Sequence, residues 1–210
     1  MFDSKQAQAI KTMLELQDGM NSKVHPRWIE QQFAWYRAAW IECAELMDHY
    51  GYKWWKQQHC DLEQVQLEVI DIWHFGMSAM FTPGVSHEQL AEDIVASLKG
   101  WVPQCDDVLS ATESLAAHCL NERGFSVPLF WDLMTASGLS FDDLYRQYVG
   151  KNVLNFFRQD NGYKEGTYKK LWQGREDNTH LVEILNELDA SATEFADNVY
   201  KALGERYAEA

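Results

Sequence analysis

The sequence predicts an all-α fold. Glycine and proline are sparse, at 12 and 4 of 210 residues, so few positions interrupt a helix. Apolar residues recur mostly at helical spacing, and no stretch alternates convincingly as a strand. The chain is 46% hydrophobic and 13% aromatic, ample for a large core, and its length fits a single domain.

The first helix is expected to start after Ser4. Its inward stripe reads Ile10, Met13, Leu14 and then Gln17, where another apolar residue is due. Asn21 follows one turn later if the helix persists past Gly19. An amide on an inward stripe either reads the edge of a ligand or satisfies backbone at a helix end. His25-Pro26 marks a break, because the residue before proline is pushed out of the α region.

A second helix is expected from about Trp28 to Tyr50, with Trp35, Ala38, Glu42, Glu45 and His49 on one side. Gly51 suits the C-terminal cap. The loop Tyr52-Lys53-Trp54-Trp55-Lys56 sets adjacent tryptophans between lysines. Such a loop either stacks on a base and contacts phosphate, or anchors helix packing.

The third helix is expected over about Asp61 to Met80. From Leu67 to Met77 it is apolar or glycine except at Glu68, Asp71 and His74. Carboxylates within so apolar a helix are costly unless paired or bound to metal. Glu42-x-x-Glu45 and Glu68-x-x-Asp71 each place two acids on one helical face. Across facing helices such charges repel unless a cation lies between them, and Mg²⁺, which takes oxygen ligands, is the natural candidate. His74 reads as a core or supporting histidine.

Thr82-Pro83-Gly84-Val85 is a turn, and Ser86-x-x-Gln89 resembles a capping box that opens a helix to about Lys99. Helices follow at 107–122, closed by Gly124, and near 128–136. The 84–138 segment carries no evident chemistry and reads as scaffold or as a peripheral helical insertion. Ser140-x-x-Asp143 begins a further helix to Arg158, in which Lys151, Asn155 and Arg158 form a polar stripe. The stretch Asp160 to Lys170 is rich in glycine, tyrosine and lysine, and lacks the spacing of a P-loop. It is either a local phosphate-holding cluster or a solvated turn. A last helix, about Thr179 to Gly204, reads as packing.

The net charge of −14 argues against polymeric nucleic acid as a partner, although a nucleotide carried with metal remains compatible. No apolar run approaches the ~20 residues of a membrane span. The N-terminus lacks the pattern of a signal peptide. The four cysteines form no C-x-x-C pair. Reduced thiols in a cytoplasmic protein are expected.

The two acidic pairs, with Gly51-Tyr-Lys-Trp-Trp-Lys56 between them and Arg158-Gln-Asp-Asn-Gly-Tyr-Lys-Glu-Gly-Thr-Tyr168 after them, resemble the dimeric dUTPases. These belong to the all-α NTP pyrophosphatases. The N-terminal Leu16-Gln17-Asp18 and Asn21 fit the same pattern. The resemblance implies a homodimer that hydrolyses dUTP, and dUDP, to dUMP. It implies two or more Mg²⁺ ions held by Glu42, Glu45, Glu68 and Asp71. It places Gln17, Asn21 and Trp54 against the uracil or deoxyribose, with Lys53, Trp55 and Lys56 as further substrate-binding candidates of the same loop. Lys151, Asn155, Arg158, Asn161, Tyr163, Lys164 and Lys169 would serve the phosphates.

Phosphoanhydride hydrolysis needs charge neutralisation and an oriented water more than covalent chemistry, which suits this residue set. Glu45 is the carboxylate expected to take the water's proton. Three other readings compete. A related pyrophosphatase would act on another nucleotide. A di-iron bundle would use Asp71-x-x-His74, but needs a second such element. A non-catalytic binding protein would bind nucleotide without turnover.

Overall fold

A computed structural model describes residues 4–208. The described residues form ten helices and one very short hairpin, an all-α fold as the apolar spacing predicts except for the hairpin, which it does not. They cluster into two compact units, the first ending at Phe141 and the second beginning at Asp142.

The first unit begins with α1 (Ser4–Val24), which continues through Gly19. Ile10, Met13, Leu14, Gln17 and Asn21 are all buried, so the inward stripe keeps its phase into its polar positions. Next comes α2 (Trp28–Gln31), a single turn, and then α3 (Trp35–Tyr50). The expected continuous helix from Trp28 to Tyr50 is therefore broken, at Gln32, which takes a left-handed conformation with φ 49°. Tertiary packing explains the break. Residues seven apart on a helix are separated by about 10 Å of rise. The rings of Trp28 and Trp35 instead meet edge to face at 5.9 Å, and Trp28 also packs on Phe81 at 4.9 Å. The Trp28 indole donates to Asp18 Oδ1 at 2.8 Å, which fixes it against α1.

Gly51 closes α3 with φ 92°, and its N–H donates to Met47 O. The 51–61 loop is pinned at its base by Asp61 N donating to His49 O at 3.0 Å. Asp61 then caps α4 (Leu62–Met80) by accepting from Gln64 N. Helices α3 and α4 pack closely and run antiparallel. Trp35 stacks on Phe75 at 6.3 Å near one end, while His49 lies beside Glu68 at the other.

The segment 84–138 forms α5 (His87–Ser97), α6 (Val108–Glu122) and α7 (Val127–Ala136). Ser86, Asp107 and Ser126 cap these helices through their side chains. The cap after α6 is Arg123, at φ 52°, rather than Gly124 as expected. These helices share the core of α3 and α4. Trp73 stacks on Phe130 at 4.8 Å, and Phe125 lies directly over Gly76.

The second unit takes α8 (Phe141–Asp160) from Asp142 onward, the hairpin strands β1 (Leu171–Trp172) and β2 (Arg175–Glu176), α9 (Asp177–Glu187) and α10 (Phe195–Tyr207). The strands pair antiparallel through Gln173-Gly174, both at positive φ, the geometry of a type I′ turn. The expected single helix from Thr179 to Gly204 is interrupted. Leu188 is extended, and the Asp189 carboxylate accepts from the backbone and hydroxyl of Ser191, a turn that competes with helix. Gly150 lets α8 pass close to Leu185, whose side chain a Cβ there would strike at 2.6 Å. Phe157, Tyr168, Trp172 and Tyr207 form the aromatic centre of this unit.

No described helix is long and apolar enough to cross a membrane. The four cysteines are free thiols, Cys43 and Cys119 buried.

Candidate active site

Three of the four acids singled out on α3 and α4 come together. Glu42, Glu68 and Asp71 each present a carboxylate oxygen, and these oxygens lie within 4.8 Å of one another. Helical spacing puts Glu68 and Asp71 on one face of α4, and the antiparallel packing brings Glu42 of α3 opposite them. Glu68 is 8% exposed, as expected of an acid in an apolar helix. Glu45 is exposed and lies outside this group of three.

The cluster holds its charge reluctantly. Burial, followed by the charges of Asp71, Glu68 and Glu45, pushes the Glu42 carboxyl up to about 7. Glu45 therefore acts on the cluster through its field although its oxygens stand apart. A set of hard oxygen donors that is crowded and partly buried, with the acid form of Glu42 favoured, fits a divalent cation. Such an ion replaces the proton and removes the repulsion. His49 Nε2 stands 3.6 Å from Glu68 Oε1. His74 Nδ1 lies 2.9 Å from Ile70 O and 3.9 Å from Asp71 Oδ1, a supporting position facing its own helix.

The same face of α4 continues through Phe75 to Ser78. There Gln17 and Asn21 of α1 converge. Gln17 Nε2 donates to Ser78 Oγ at 3.0 Å and to Asn21 Oδ1 at 3.2 Å, and Asn21 Nδ2 donates to Ser78 Oγ at 2.9 Å. Both amides expected at the nucleoside end thus lie together, buried, about two turns along α4 from Asp71. Ser78 was not legible as a site residue. The one available signal is its spacing, seven residues beyond Asp71 and so on the same helical face.

The aromatic loop is exposed. Trp54 is 90% and Trp55 60% accessible, and their rings meet edge to face at 5.5 Å. Lys53 pairs with Asp48, and its backbone N–H is held by Gln58 Oε1, whereas Lys56 lies on the surface.

In the second unit, Arg158 is locked to Asp177, which is fully buried. Its Nε and Nη2 donate to the two carboxylate oxygens at 2.8 Å, and the Tyr168 hydroxyl donates to Oδ2 at 2.8 Å. Burial alone would raise the Asp177 carboxyl. The hydrogen bonds from Arg158 and Tyr168 outweigh burial and hold it below the usual range. Arg158 Nη1 also donates to Asn155 Oδ1 at 3.3 Å, tying two expected phosphate residues together. Asn161 donates to Phe157 O, while Tyr163, Lys164 and Lys169 are exposed and Lys151 is half-buried. Asp177 was not anticipated from the sequence, where it stands in an ordinary polar stretch.

A family model described as dUTPase matches residues 9–163 of the 210. The chain belongs to the dUTPase family. The match takes in both acidic pairs, the tryptophan loop, the 84–138 segment and the start of the lysine-rich stretch. No curated protein matches the chain. Membership makes it an enzyme of dUTP hydrolysis with a nucleotide substrate, and the all-α architecture agrees with the dimeric branch of the dUTPases. The crowded acids on facing helices fall within the matched residues of this dUTPase.

Proposed function

We propose that the protein is a Mg²⁺-dependent nucleotidohydrolase that converts dUTP, and also dUDP, to dUMP. The observation that carries this reading is the carboxylate trio Glu42, Glu68 and Asp71, gathered within 4.8 Å in a chain of the dUTPase family. These residues would hold Mg²⁺, with Glu45 as a further ligand or as the base that takes the proton of the attacking water. Bound Mg²⁺ supplies positive charge to the phosphates and acidifies coordinated water. The cluster suits two or more ions, because it brings several carboxylates to one place.

The remaining roles belong to the chain itself. Gln17 and Asn21 would meet the base through hydrogen bonds, and the exposed Trp54–Trp55 loop with Lys53 and Lys56 offers rings and charge for the nucleoside end. Lys151, Asn155, Arg158, Asn161, Tyr163, Lys164 and Lys169 would serve the phosphates. Arg158, whose donors are largely taken up by Asp177 and Asn155, would act there mainly as a rigid support. Homodimerisation and a cytoplasmic location complete the reading.

Purified protein is expected to release dUMP and pyrophosphate from dUTP with Mg²⁺, to accept dUDP, and to stop when EDTA is added. A panel of nucleoside triphosphates should rank dUTP first. Full turnover in EDTA, or a preference for another base, contradicts the reading. Light scattering should give twice the chain mass.

A further inference from the structure

We propose that Ser78 sets the donor and acceptor pattern that Gln17 and Asn21 present to the base, and so selects uracil over cytosine. The inference rests on the reading that these two amides meet the base, and it adds the residue that orients them.

A serine hydroxyl has a single hydrogen and accepts through its lone pairs. Ser78 Oγ donates that hydrogen to His74 O, four residues earlier in α4, at 3.0 Å. Towards Gln17 and Asn21 it can then only accept. Both amides must turn their nitrogen to it, as they do at 3.0 and 2.9 Å. Gln17 Nε2 spends its other hydrogen on Asn21 Oδ1. The orientation of each amide is thereby fixed by bonding.

Reversing either amide would set an oxygen against the hydroxyl oxygen. All three side chains are buried, with Gln17 at 5%, Asn21 at 7% and Ser78 at 2% exposure, so water cannot repair such a mismatch. The result is an N–H of Asn21 beyond the one given to Ser78, with a fixed direction, and a Gln17 amide whose oxygen is its accepting end.

That arrangement has a chemical preference. The pairing edge of uracil places carbonyl acceptors on either side of the N3–H donor. Cytosine presents an amino donor at position 4 and a bare acceptor at position 3. A fixed N–H donor beside an amide oxygen matches the carbonyl and N3–H of uracil. The same pair set against cytosine leaves donor facing donor and acceptor facing acceptor. Without Ser78 the amides are able to rotate and accept either edge. Selectivity against cytosine is therefore built into α4 itself, on the face that carries Glu68 and Asp71.

The test measures kcat/KM for dUTP and dCTP in the full chain, with Ser78→Ala, the near-isosteric Ser78→Cys, and Asn21→Ala. Ser78→Ala is expected to lower the dUTP-to-dCTP ratio about tenfold, the effect of one mis-set hydrogen bond, chiefly through KM. Ser78→Cys should shift the ratio in the same direction with the melting temperature of the unaltered protein, and it serves alone if the alanine variant does not fold. Asn21→Ala should lower the ratio as well. If both Ser78 variants keep the ratio within about twofold while Asn21→Ala lowers it, the amides read the base without Ser78 and the proposal is overturned. If Asn21→Ala also leaves the ratio unchanged, the base-reading role of the amides fails, and the proposal falls with it.

Discussion

Each unit of this chain draws a carboxylate out of water, Asp177 fully and Glu42 in part, and the two are treated in opposite ways. Asp177 in the second unit faces a guanidinium and a phenol within the fold, and its carboxyl is held below the ordinary range. Glu42 in the first unit faces Asp71, Glu68 and Glu45, and its carboxyl is pushed up to about 7. A buried charge needs a partner, and the fold gives Asp177 a cationic one and Glu42 only like charges. The difference separates a satisfied ion pair from a cluster of like charges.

Removing acids from the two units should have opposite consequences. Glu68→Ala with Asp71→Ala should cut dUTP turnover by about 10³-fold or more, since several kcal/mol of metal-derived stabilisation are lost at 1.36 kcal/mol per decade. The melting temperature of the metal-free protein should hold or rise, because repulsion is relieved. Asp177→Ala should do the reverse on stability. It leaves Arg158 without its buried partner and should cost about 3 kcal/mol in the second unit, read by denaturant unfolding. A fall in stability for the first variant and none for the second would erase the distinction.

A smaller effect is expected at Gly76. A Cβ there would lie 2.3 Å from the Phe125 ring, so Gly76→Ala should cost about 1–3 kcal/mol by forcing the segment near α7 away from α4. The readout is the unfolding midpoint in urea.

The smallest effect is a pH slope. In the metal-free protein Glu42 holds its proton up to about 7, against 4.5 for the unperturbed group. The folded state binds more protons than the unfolded state between those values. Its stability therefore falls as pH rises from about 4.5 to about 7. Glu42→Gln should flatten that part of the profile, and saturating Mg²⁺ should reverse it.

Much of this was legible in the sequence, for identifiable reasons. The cap at Ser86, the run of α1 into Gln17 and Asn21, and the meeting of acids from α3 and α4 follow from local spacing and from the cost of burying charge. The break at Gln32 was not legible, because it is imposed by Trp28 packing on Trp35 and Phe81, contacts between residues that lie apart in sequence. The interruption at Leu188 was signalled by Asp189-Ala-Ser191, a local turn that an apolar pattern of leucines on both sides obscured. Glu45 shares a helical face with Glu42, but spacing alone does not say that its carboxylate stands outside the trio. Ser78 and Asp177 carry roles set by what they touch, and neither stands in a recognisable pattern.

The central claim is that Glu42, Glu68 and Asp71 together form the divalent-cation site of the first unit. Mn²⁺ is a spectroscopic stand-in for Mg²⁺, and its binding can be followed by electron paramagnetic resonance without turnover. The unaltered protein should bind Mn²⁺ and release it to Mg²⁺, while Glu42→Gln, Glu68→Gln and Asp71→Asn each weaken binding. Binding of equal strength in all three variants would place the cation elsewhere and contradict the account.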